Sequence, residues 1–429
     1  MSNLRKAWHL YNLMKSQWKP YEELKELQDK KLRAILKHAY ENVPFYHEKF
    51  DRAGVHPDDI KTVEDLPRLP MTTKQEVREN FPDKIVARGV NLKKCWLPHT
   101  SGSTGIPLTV AYDEVAEDFE KAVALRPNLS CGQGLFDKWI GFTDPRHIGK
   151  KKWFQRFRLF NPVEFSLFED INKQTSILKG TKPDIIGGYP SHLYLLAKSI
   201  KQEGIELNPK MIFTTAELLD APTREYIQSA FNTVVYDQFG GVELGRTAWE
   251  CPAHSGYHID VEAVVMEFVR DGKQVSAGEE GEIFYTGLYN YAMPLIRYAV
   301  GDIGIPSDEK CPCGRGLPLM KIIEGRKDDF LVCSDGTIVS PITMDLIVKN
   351  IMEIEQCRIV QERRDRIEVQ ITTDEGLTDQ RIRELEGSIK EVLGQDVTVQ
   401  VQIVERLPVD KGGKLRKVIS KVKIDWDRA

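Results

Sequence analysis

The sequence predicts an α/β protein in which a large N-terminal domain with mixed and parallel sheets precedes a small α+β C-terminal domain. Strand-like and helical segments alternate between residues 184 and 236, which is typical of a parallel sheet. Alternating apolar residues flank one helical segment between residues 367 and 403. A charged break at residues 325–329 separates the two regions, and 429 residues are enough for two or three domains. We therefore expect domains at residues 1–325 and 326–429.

The composition excludes several classes of protein. A hydrophobic content of 41% with 29% charged residues is ordinary for a globular chain, and a net charge of −4 does not favour nucleic-acid binding. No apolar run approaches the ~20 residues that span a bilayer, and the first residues lack the apolar core of a signal peptide. We expect a cytoplasmic protein with no nucleic-acid partner and no membrane span.

Residues 1–80 are predicted to form an N-terminal helical segment. Apolar residues between positions 22 and 41 follow a helical rhythm that stops before Pro44. The Pro-rich stretch at residues 55–81 predicts an irregular connector, in which Thr73 and Glu76 have the spacing of a helix cap.

A run of small residues at positions 100–105 is interpreted as a phosphate-binding loop. Glycine tolerates positive φ, and the hydroxyl and N–H groups of such a run can point at phosphate oxygens. The run lacks the Gly-Lys-Ser/Thr of a Walker A motif and the dinucleotide Gly-x-Gly-x-x-Gly pattern. A plain surface loop remains the alternative for the run alone. Its members are Thr100, Ser101, Gly102, Ser103, Thr104 and Gly105.

Three strand-like segments, at residues 184–189, 211–215 and 233–236, are separated by helical connectors and predict parallel strands. Ligands bind outside the carboxyl ends of such strands. The residues at or beyond these ends are 189–191, 215–217 and 238–243, and they include an aromatic ring, small residues and carboxylates suited to a nucleotide.

Antiparallel strands are expected between residues 264 and 297, and Asp302 presents a carboxylate after a short strand. The small domain contains a helix over residues 378–393 and ends in the basic, Gly-rich stretch 408–416. A mobile loop with a lysine is typical of a lid that brings positive charge to a transferring phosphate.

These motifs together resemble the adenylate-forming superfamily of acyl-CoA synthetases, in particular the phenylacetate-CoA ligase branch with its capsular-polysaccharide-associated members. Residues 32–46 also resemble the N-terminal segment of that branch. The resemblance implies a large ATP- and acyl-binding domain and a mobile C-terminal lid. It implies an AMP-forming ligase that converts a carboxylic acid and ATP to an acyl-adenylate and pyrophosphate, then transfers the acyl group to CoA.

The resemblance also implies roles for single residues. It assigns the loop at residues 100–105 to the ATP phosphates, with Thr104 in a catalytic role, and Phe239 to stacking on the adenine. The remaining nucleotide-binding assignments are Thr215, Ala216, Glu217, Asp237, Gln238, Gly240, Asp302 for the ribose and Arg326 for a phosphate or ribose contact. Glu243 would hold Mg²⁺, Asp328 would be the hinge, and Lys414 would stabilise charge during adenylation.

Elementary chemistry agrees with these roles. A carboxylate that attacks the α-phosphate approaches a polyanion, so the site needs Mg²⁺ on one side and a cation on the other. An ionised aspartate can accept two hydrogen bonds from a ribose diol. Ordinary structural roles remain open for each residue, because Glu243 could be a helix N-terminal acid, Asp302 a turn former and Lys414 a solvated side chain.

A cysteine and histidine set predicts a structural zinc site. Cys311 and Cys313 form a tight pair, and Cys251 lies upstream near His254 and His258. Three Cys and one His make a closed zinc site, although the Cys-x-Cys spacing is tighter than usual. Some relatives in the resembled branch contain a similar set, which favours His258 over His254.

The chain departs from the family pattern after the hinge, where residues 340–344 replace the usual Pro-Ser-x-Ile-Glu type sequence. This leaves open whether CoA, a carrier protein or another acceptor in polysaccharide or cofactor synthesis receives the acyl or adenylyl group. A third possibility is a nucleotide-binding protein without enzymatic activity. The sequence also leaves open whether the chain forms a homodimer. The expected acid is an aryl acid, bound among the aromatic residues Trp96, Phe142, Tyr189 and Tyr236.

Overall fold

The computed structural model describes residues 2–100, 108–143, 145, 162–326, 329–339, 341–349, 351, 353–373, 376–409 and 414–422. The chain separates into a large unit, Met1–Val300 with Gly304–Ile322, and a small unit, Gly301–Ile303 with Ile323–Ala429. This division lies close to the predicted boundary between residues 325 and 326. The predicted fold class, α/β with a separate small α+β domain, is confirmed.

The helices of the large unit surround one mixed sheet. They are α1 (Ser2–Ser16), α2 (Tyr21–Asn42), α3 (Pro44–Ala53), α4 (Lys74–Asn80), α5 (Glu114–Ser130), α6 (Ile171–Thr181), α7 (Pro190–Gln202) and α8 (Ala221–Phe231). Short 3₁₀ turns lie at Pro57–Asp59, Val63–Arg68 and Leu92–Lys94. Thr73 and Glu76 form a reciprocal capping box at the start of α4, as predicted. Among the described residues, no helix has the length and apolar character needed to cross a bilayer.

The sheet is parallel at one end and antiparallel at the other. Its strands follow the order β2-β1-β3-β4-β5-β6-β7-β12-β11-β10-β8-β9, and β1 to β5 pair in parallel. The strands are β1 (Trp139–Thr143), β2 (Pro162–Ser166), β3 (Ile185–Gly188), β4 (Met211–Thr215), β5 (Val235–Gly241), β6 (Gly245–Glu250), β7 (Tyr257–Ile259), β8 (Val264–Arg270), β9 (Lys273–Gln274), β10 (Gly281–Gly287), β11 (Tyr298–Ser307) and β12 (Leu319–Arg326). The predicted parallel order of the segments at 185, 211 and 235 is therefore correct.

The small unit packs two helices against short sheets. Its elements are β13 (Leu331–Val332), β14 (Ile338–Val339), α9 (Pro341–Lys349), β15 (Gln356–Arg363), β16 (Arg366–Thr372), α10 (Asp379–Leu393), β17 (Thr398–Ile403) and β18 (Val418–Ser420). The order of the four-stranded sheet is β17-β16-β15-β18. Ile367, Val369 and Ile371 alternate on one face of β16 and are fully buried with Leu385 and Ile389 of α10. The period-two pattern of β16 and the helical pattern of α10 meet in one core.

The sequence analysis gave no separate bounds for helix α1 within the predicted helical segment 1–80, and it placed residues 238–241 at or beyond a strand end. Residues 238–241 belong to β5, which continues beyond its predicted end into an antiparallel hairpin with β6. Asp302 lies inside β11 rather than after a short strand. Gly301 next to it has φ of 87°, which breaks the regular strand geometry without ending the strand.

A buried ion network holds α5 against the sheet. The fully buried Arg126 of α5 donates to the carboxylates of Asp260 and Glu262, at 2.9 Å for Nη1 to Glu262 Oε1. Ser16 at the end of α1 donates its hydroxyl to the same Glu262 oxygen at 2.6 Å. Burial raises the pKa of Asp260 to about 6, and the charge of Arg126 opposes that rise. The network therefore joins α1, α5 and the segment before β8.

We predict that Arg126→Met lowers the free energy of unfolding by about 3 kcal/mol or more, because two buried carboxylates lose their cation. Chemical denaturation with a two-state fit measures this change. Arg363→Met is the matched control, because Arg363 pairs with Asp365 at a largely exposed position. Equal stability of the two variants would show that the network does not stabilise the fold.

Candidate active site

One carboxylate, that of Glu217, joins the segments that follow β3 and β4. Glu217 accepts a hydrogen bond from the Ser191 backbone N–H at 2.9 Å and another from the Ser191 hydroxyl at 3.0 Å. Ala216 has φ of 71°, a left-handed conformation that is costly for a residue with a side chain. Residues 189–191 and 215–217, which the sequence analysis placed at the ends of predicted parallel strands, are thus in direct contact. The role of Thr215, Ala216 and Glu217 in binding adenine stays a prediction.

The β5–β6 hairpin requires glycine at position 240. A Cβ atom there would lie 2.3 Å from the Gly245 carbonyl oxygen and 2.8 Å from the Arg246 Cα atom. The register shifts between Phe239 and Gly240, so the strand bends just before its turn. This close backbone approach fixes the direction in which the chain enters the segment that contains Glu243.

Glu243 lies at the turn of this hairpin with 9% of its surface exposed. Its Oε1 atom is 3.4 Å from the Lys74 ammonium and 3.3 Å from the Tyr298 hydroxyl. The Tyr112 hydroxyl donates to the Glu243 backbone carbonyl at 2.9 Å. Three residues distant in the chain thus position one buried carboxylate, and sequence reasoning missed all three because no local motif connects them to Glu243.

Asp237 and Gln238 serve the fold through their side chains. The carboxylate of Asp237 accepts hydrogen bonds from Thr214 and Tyr257, and only 4% of the residue is exposed. Burial raises its pKa to about 6, and Glu250 adds to the rise. Gln238 donates its amide to Asn128 of α5 at 2.7 Å. Both residues are 4% exposed, and their predicted nucleotide contacts stay a prediction.

Several predicted site residues lie outside the described part of the chain. Ser101, Gly102, Ser103, Thr104, Gly105 and Asp328 belong to this group, so the phosphate loop and the hinge stay predictions. Thr100 is described and buried, and its hydroxyl accepts from the Leu108 backbone N–H at 2.9 Å. Arg326 is the last residue of β12. Lys414 lies in the small unit, where it is partly buried.

Three of the aromatic residues expected to surround an aryl acid, Trp96, Phe142 and Tyr236, belong to different packing environments. Phe142 is 1% exposed within the core behind the parallel strands. Tyr236 stacks on the His254 ring at 5.1 Å between centroids, and Trp96 is 39% exposed beneath the Lys121 ammonium. These rings are parts of separate packing clusters, so they do not support the expected aromatic pocket.

The cysteine and histidine residues form a compact cluster in the large unit. One ligand atom from each of Cys251, His258, Cys311 and Cys313 lies within 4.8 Å of the others. The Cys251 and Cys311 sulfur atoms are 3.6 Å apart, and Cys313 Sγ is 3.3 Å from His258 Nε2. His254 stacks on Tyr236 instead, so the structure selects His258 between the two candidate histidines.

The protonation states of this cluster follow from burial. Burial lowers the pKa of His258 to about 4, which keeps the imidazole neutral at pH 7. Burial raises the pKa of Cys251 to about 12 and also raises that of Cys311. Burial alone would raise the pKa of Cys313. Hydrogen bonds from Arg315 and the neighbouring thiols have the larger combined effect, so the pKa of Cys313 lies below its ordinary value. A neutral imidazole beside three thiols is a donor set suited to a divalent metal.

Comparisons with known proteins identify the family. The chain is 31% identical over 337 residues to the phenylacetate-coenzyme A ligase of Escherichia coli (strain K12), covering 72% of this chain and 73% of that protein. The chain belongs to the phenylacetate-CoA ligase family. The Thermus thermophilus phenylacetate-coenzyme A ligase is 28% identical, with 93% of this chain and 97% of that protein covered. Membership makes the chain one of the AMP-forming acid–CoA ligases, as the sequence motifs indicated.

The small unit adds a second similarity within the family. A model described as the CapK C-terminal domain matches residues 331–421. Protein CapK of Staphylococcus aureus is 26% identical, with 94% of this chain and 92% of that protein covered. The fold is shared with a crystal structure of a 2-hydroxyisobutyryl-CoA ligase in complex with R3-HIB-AMP, at a TM-score of 0.77 and 22% identity over 96% of this chain and 92% of that chain.

We predict that Gly240→Ala lowers the free energy of unfolding by about 1–3 kcal/mol, because the new Cβ would overlap the Gly245 carbonyl. Urea denaturation measures the loss. Gly180→Ala in α6 is the control, since nothing lies within 4 Å of its Cβ position. That control should stabilise the protein by about 0.5–1 kcal/mol through helix propensity. A Gly240→Ala protein as stable as wild type would contradict the close approach.

Proposed function

We propose that this protein activates a carboxylic acid with ATP, forming an acyl-adenylate and pyrophosphate, and then transfers the acyl group to the thiol of CoA. The observation that carries this proposal is the buried carboxylate of Glu243, positioned by Lys74, Tyr112 and Tyr298 at the end of β5. Family membership supports the same reaction class. The acid is proposed only as a carboxylic acid, because Trp96, Phe142 and Tyr236 belong to different packing environments.

The first step joins the acid to the nucleotide. A carboxylate oxygen of the acid attacks the α-phosphorus of ATP, the bond to the β-phosphate oxygen breaks, and pyrophosphate leaves. Glu243 would hold Mg²⁺, which when bound neutralises phosphate charge as the oxygens approach. Thr100 and the following loop would bind the phosphates, with Thr104 in the loop. Lys414 would stabilise the negative charge that develops in the transition state.

The nucleotide is proposed to lie along the carboxyl ends of the parallel strands. Thr215, Ala216 and Glu217 would flank the adenine, and Phe239 would stack on it. Asp302 would accept hydrogen bonds from the ribose hydroxyls, and Arg326 would contact a phosphate or the ribose. The hydrogen bonds of Glu217 with Ser191, which join the segments after β3 and β4, support this proposed wall.

The second step gives the acyl group to an acceptor. With CoA, the thiolate attacks the acyl carbon and AMP leaves with the bonding pair. Two observations favour another acceptor as the second candidate. The small unit matches the CapK C-terminal domain model, and residues 340–344 depart from the phenylacetate-CoA ligase pattern. An acceptor other than CoA in polysaccharide or cofactor synthesis is the alternative function.

We further propose that Cys251, His258, Cys311 and Cys313 bind a structural zinc ion. Zinc–sulfur bonds of about 2.3 Å in a tetrahedron place two thiolates about 3.8 Å apart, close to the 3.6 Å between Cys251 and Cys311. Four protein ligands leave no position for a catalytic water. The ion would join the segment after β6 to the segment between β11 and β12, and would not take part in adenylation.

Lys414→Ala should lower the rate of acid-dependent ATP–pyrophosphate exchange by about 10²-fold, as the loss of one preorganised charge does. ATP binding, measured by calorimetry, should change little. Lys421→Ala is the control, because Lys421 forms an exposed ion pair with Glu362 in the same unit. Exchange at the wild-type rate in Lys414→Ala would remove this lysine from the mechanism.

Protein purified without chelator should contain about one zinc per chain by elemental analysis. Cys311→Ser should lose the metal and melt at a lower temperature, because binding energy of a structural zinc is folding energy. Cys95→Ser should retain the metal, since Cys95 is outside the cluster. Wild-type protein without zinc, or a Cys311→Ser variant with full zinc content, would reject the site.

A further inference from the structure

Helix α5 places a buried acid beside the β5–β6 hairpin. Glu120 is 8% exposed, and a Cβ atom on Gly245 would lie 2.8 Å from its Cγ atom and 3.2 Å from its Oε1 atom. The Tyr289 hydroxyl is 3.2 Å from the same Cβ position and donates to the Leu244 carbonyl. The absence of a side chain at Gly245 therefore leaves room for Glu120 and Tyr289 directly after the segment that contains Glu243.

A partly buried cation follows one residue later. The Arg246 side chain extends from β6, and its pKa is lowered because of burial, with Glu120 the largest opposing charge. Within the described chain, the Nη1 atom of Arg246 is buried and has no hydrogen-bond partner. The same holds for the Oε2 atom of Glu120, which lies 3.1 Å from the Lys121 ammonium but outside hydrogen-bond geometry.

Among the described residues of the large unit, Arg126, Asp260 and Glu267 also contain one buried atom without a hydrogen-bond partner, but each forms a hydrogen-bonded ion pair through its other atoms. Arg297 donates Nε to Glu267 at 3.1 Å, and Arg126 donates to both Asp260 and Glu262. Buried polar atoms are normally satisfied, and an exception in a native structure needs an explanation. For Glu120 and Arg246 the explanation that fits their position next to Glu243 is a ligand with its own polar group.

We propose that Glu120 and Arg246 bind a hydroxyl group on the acyl chain of the substrate, so that the substrate is a hydroxy acid rather than an aryl acid. This inference rests on the proposed adenylation at Glu243. A hydroxyl group can donate to the Glu120 carboxylate and accept from the Arg246 guanidinium at once. An apolar acyl chain would leave Glu120 Oε2 and Arg246 Nη1 without a hydrogen-bond partner, which a site of this kind discriminates against.

The experiment is ATP–pyrophosphate exchange with butyrate, 2-, 3- and 4-hydroxybutyrate, and phenylacetate as the probes, without CoA. At least one hydroxybutyrate should exceed both butyrate and phenylacetate in kcat/KM by about 10-fold or more. Glu120→Gln and Arg246→Lys should each reduce that preference at least about fivefold, mainly by raising KM for the hydroxy acid. Glu117→Gln, an acid-to-amide change on the same helix, should preserve it.

Each outcome decides a different point. Exchange that is equal for butyrate and the hydroxybutyrates, or strongest with phenylacetate, overturns the hydroxy-acid inference and leaves adenylation standing. An unchanged preference in folded Glu120→Gln and Arg246→Lys proteins, with melting temperatures near wild type, also overturns it. No exchange with any of the five acids rejects the proposed function and this inference together.

Discussion

The site depends on the packing of helix α5 against the mixed sheet, which the buried guanidinium of Arg126 maintains. Arg126 is fully buried and bonds the carboxylates of Asp260 and Glu262, while Trp249 donates to Asp260 at 2.8 Å. A buried charge is tolerated only when it is paired, so these groups have little freedom to rearrange. Through this contact α5 keeps Asn128 in reach of Gln238.

The β5–β6 hairpin determines where Glu243 lies. The hairpin turns tightly because Gly240 and the backbone at Gly245 approach within a distance that no side chain allows, and Glu243 lies in the turn. Tyr112, Tyr298 and Lys74 converge on Glu243 from three other segments. These contacts hold one carboxylate in a fixed and largely desolvated place, as the proposed adenylation requires.

Much of the fold was predictable because its patterns are local. The apolar rhythm between residues 22 and 41 corresponds to α2, the Thr73 cap begins α4, and the strand at 211–215 has its predicted bounds. Helix α1 received no bounds of its own within the predicted helical segment 1–80, because much of its stability comes from tertiary contacts, such as the ion pair of Arg5 with Asp118 in α5 at 2.6 Å. The strand character of residues 238–241 was hidden by two glycines, which in isolation indicate a turn.

Local patterns were enough to predict the alternation of strands and helices, the small C-terminal unit and the proximity of Cys311 to Cys313, because periodicity and close spacing are properties of short segments. The folded chain was needed to show that His258, and not His254, lies beside the thiols, and that the Asp237 side chain is buried. It also brought Glu120 to Gly245 across 125 positions in the chain. Contacts between such distant residues depend on sheet register and helix packing, and neither can be predicted from the residues of one short segment.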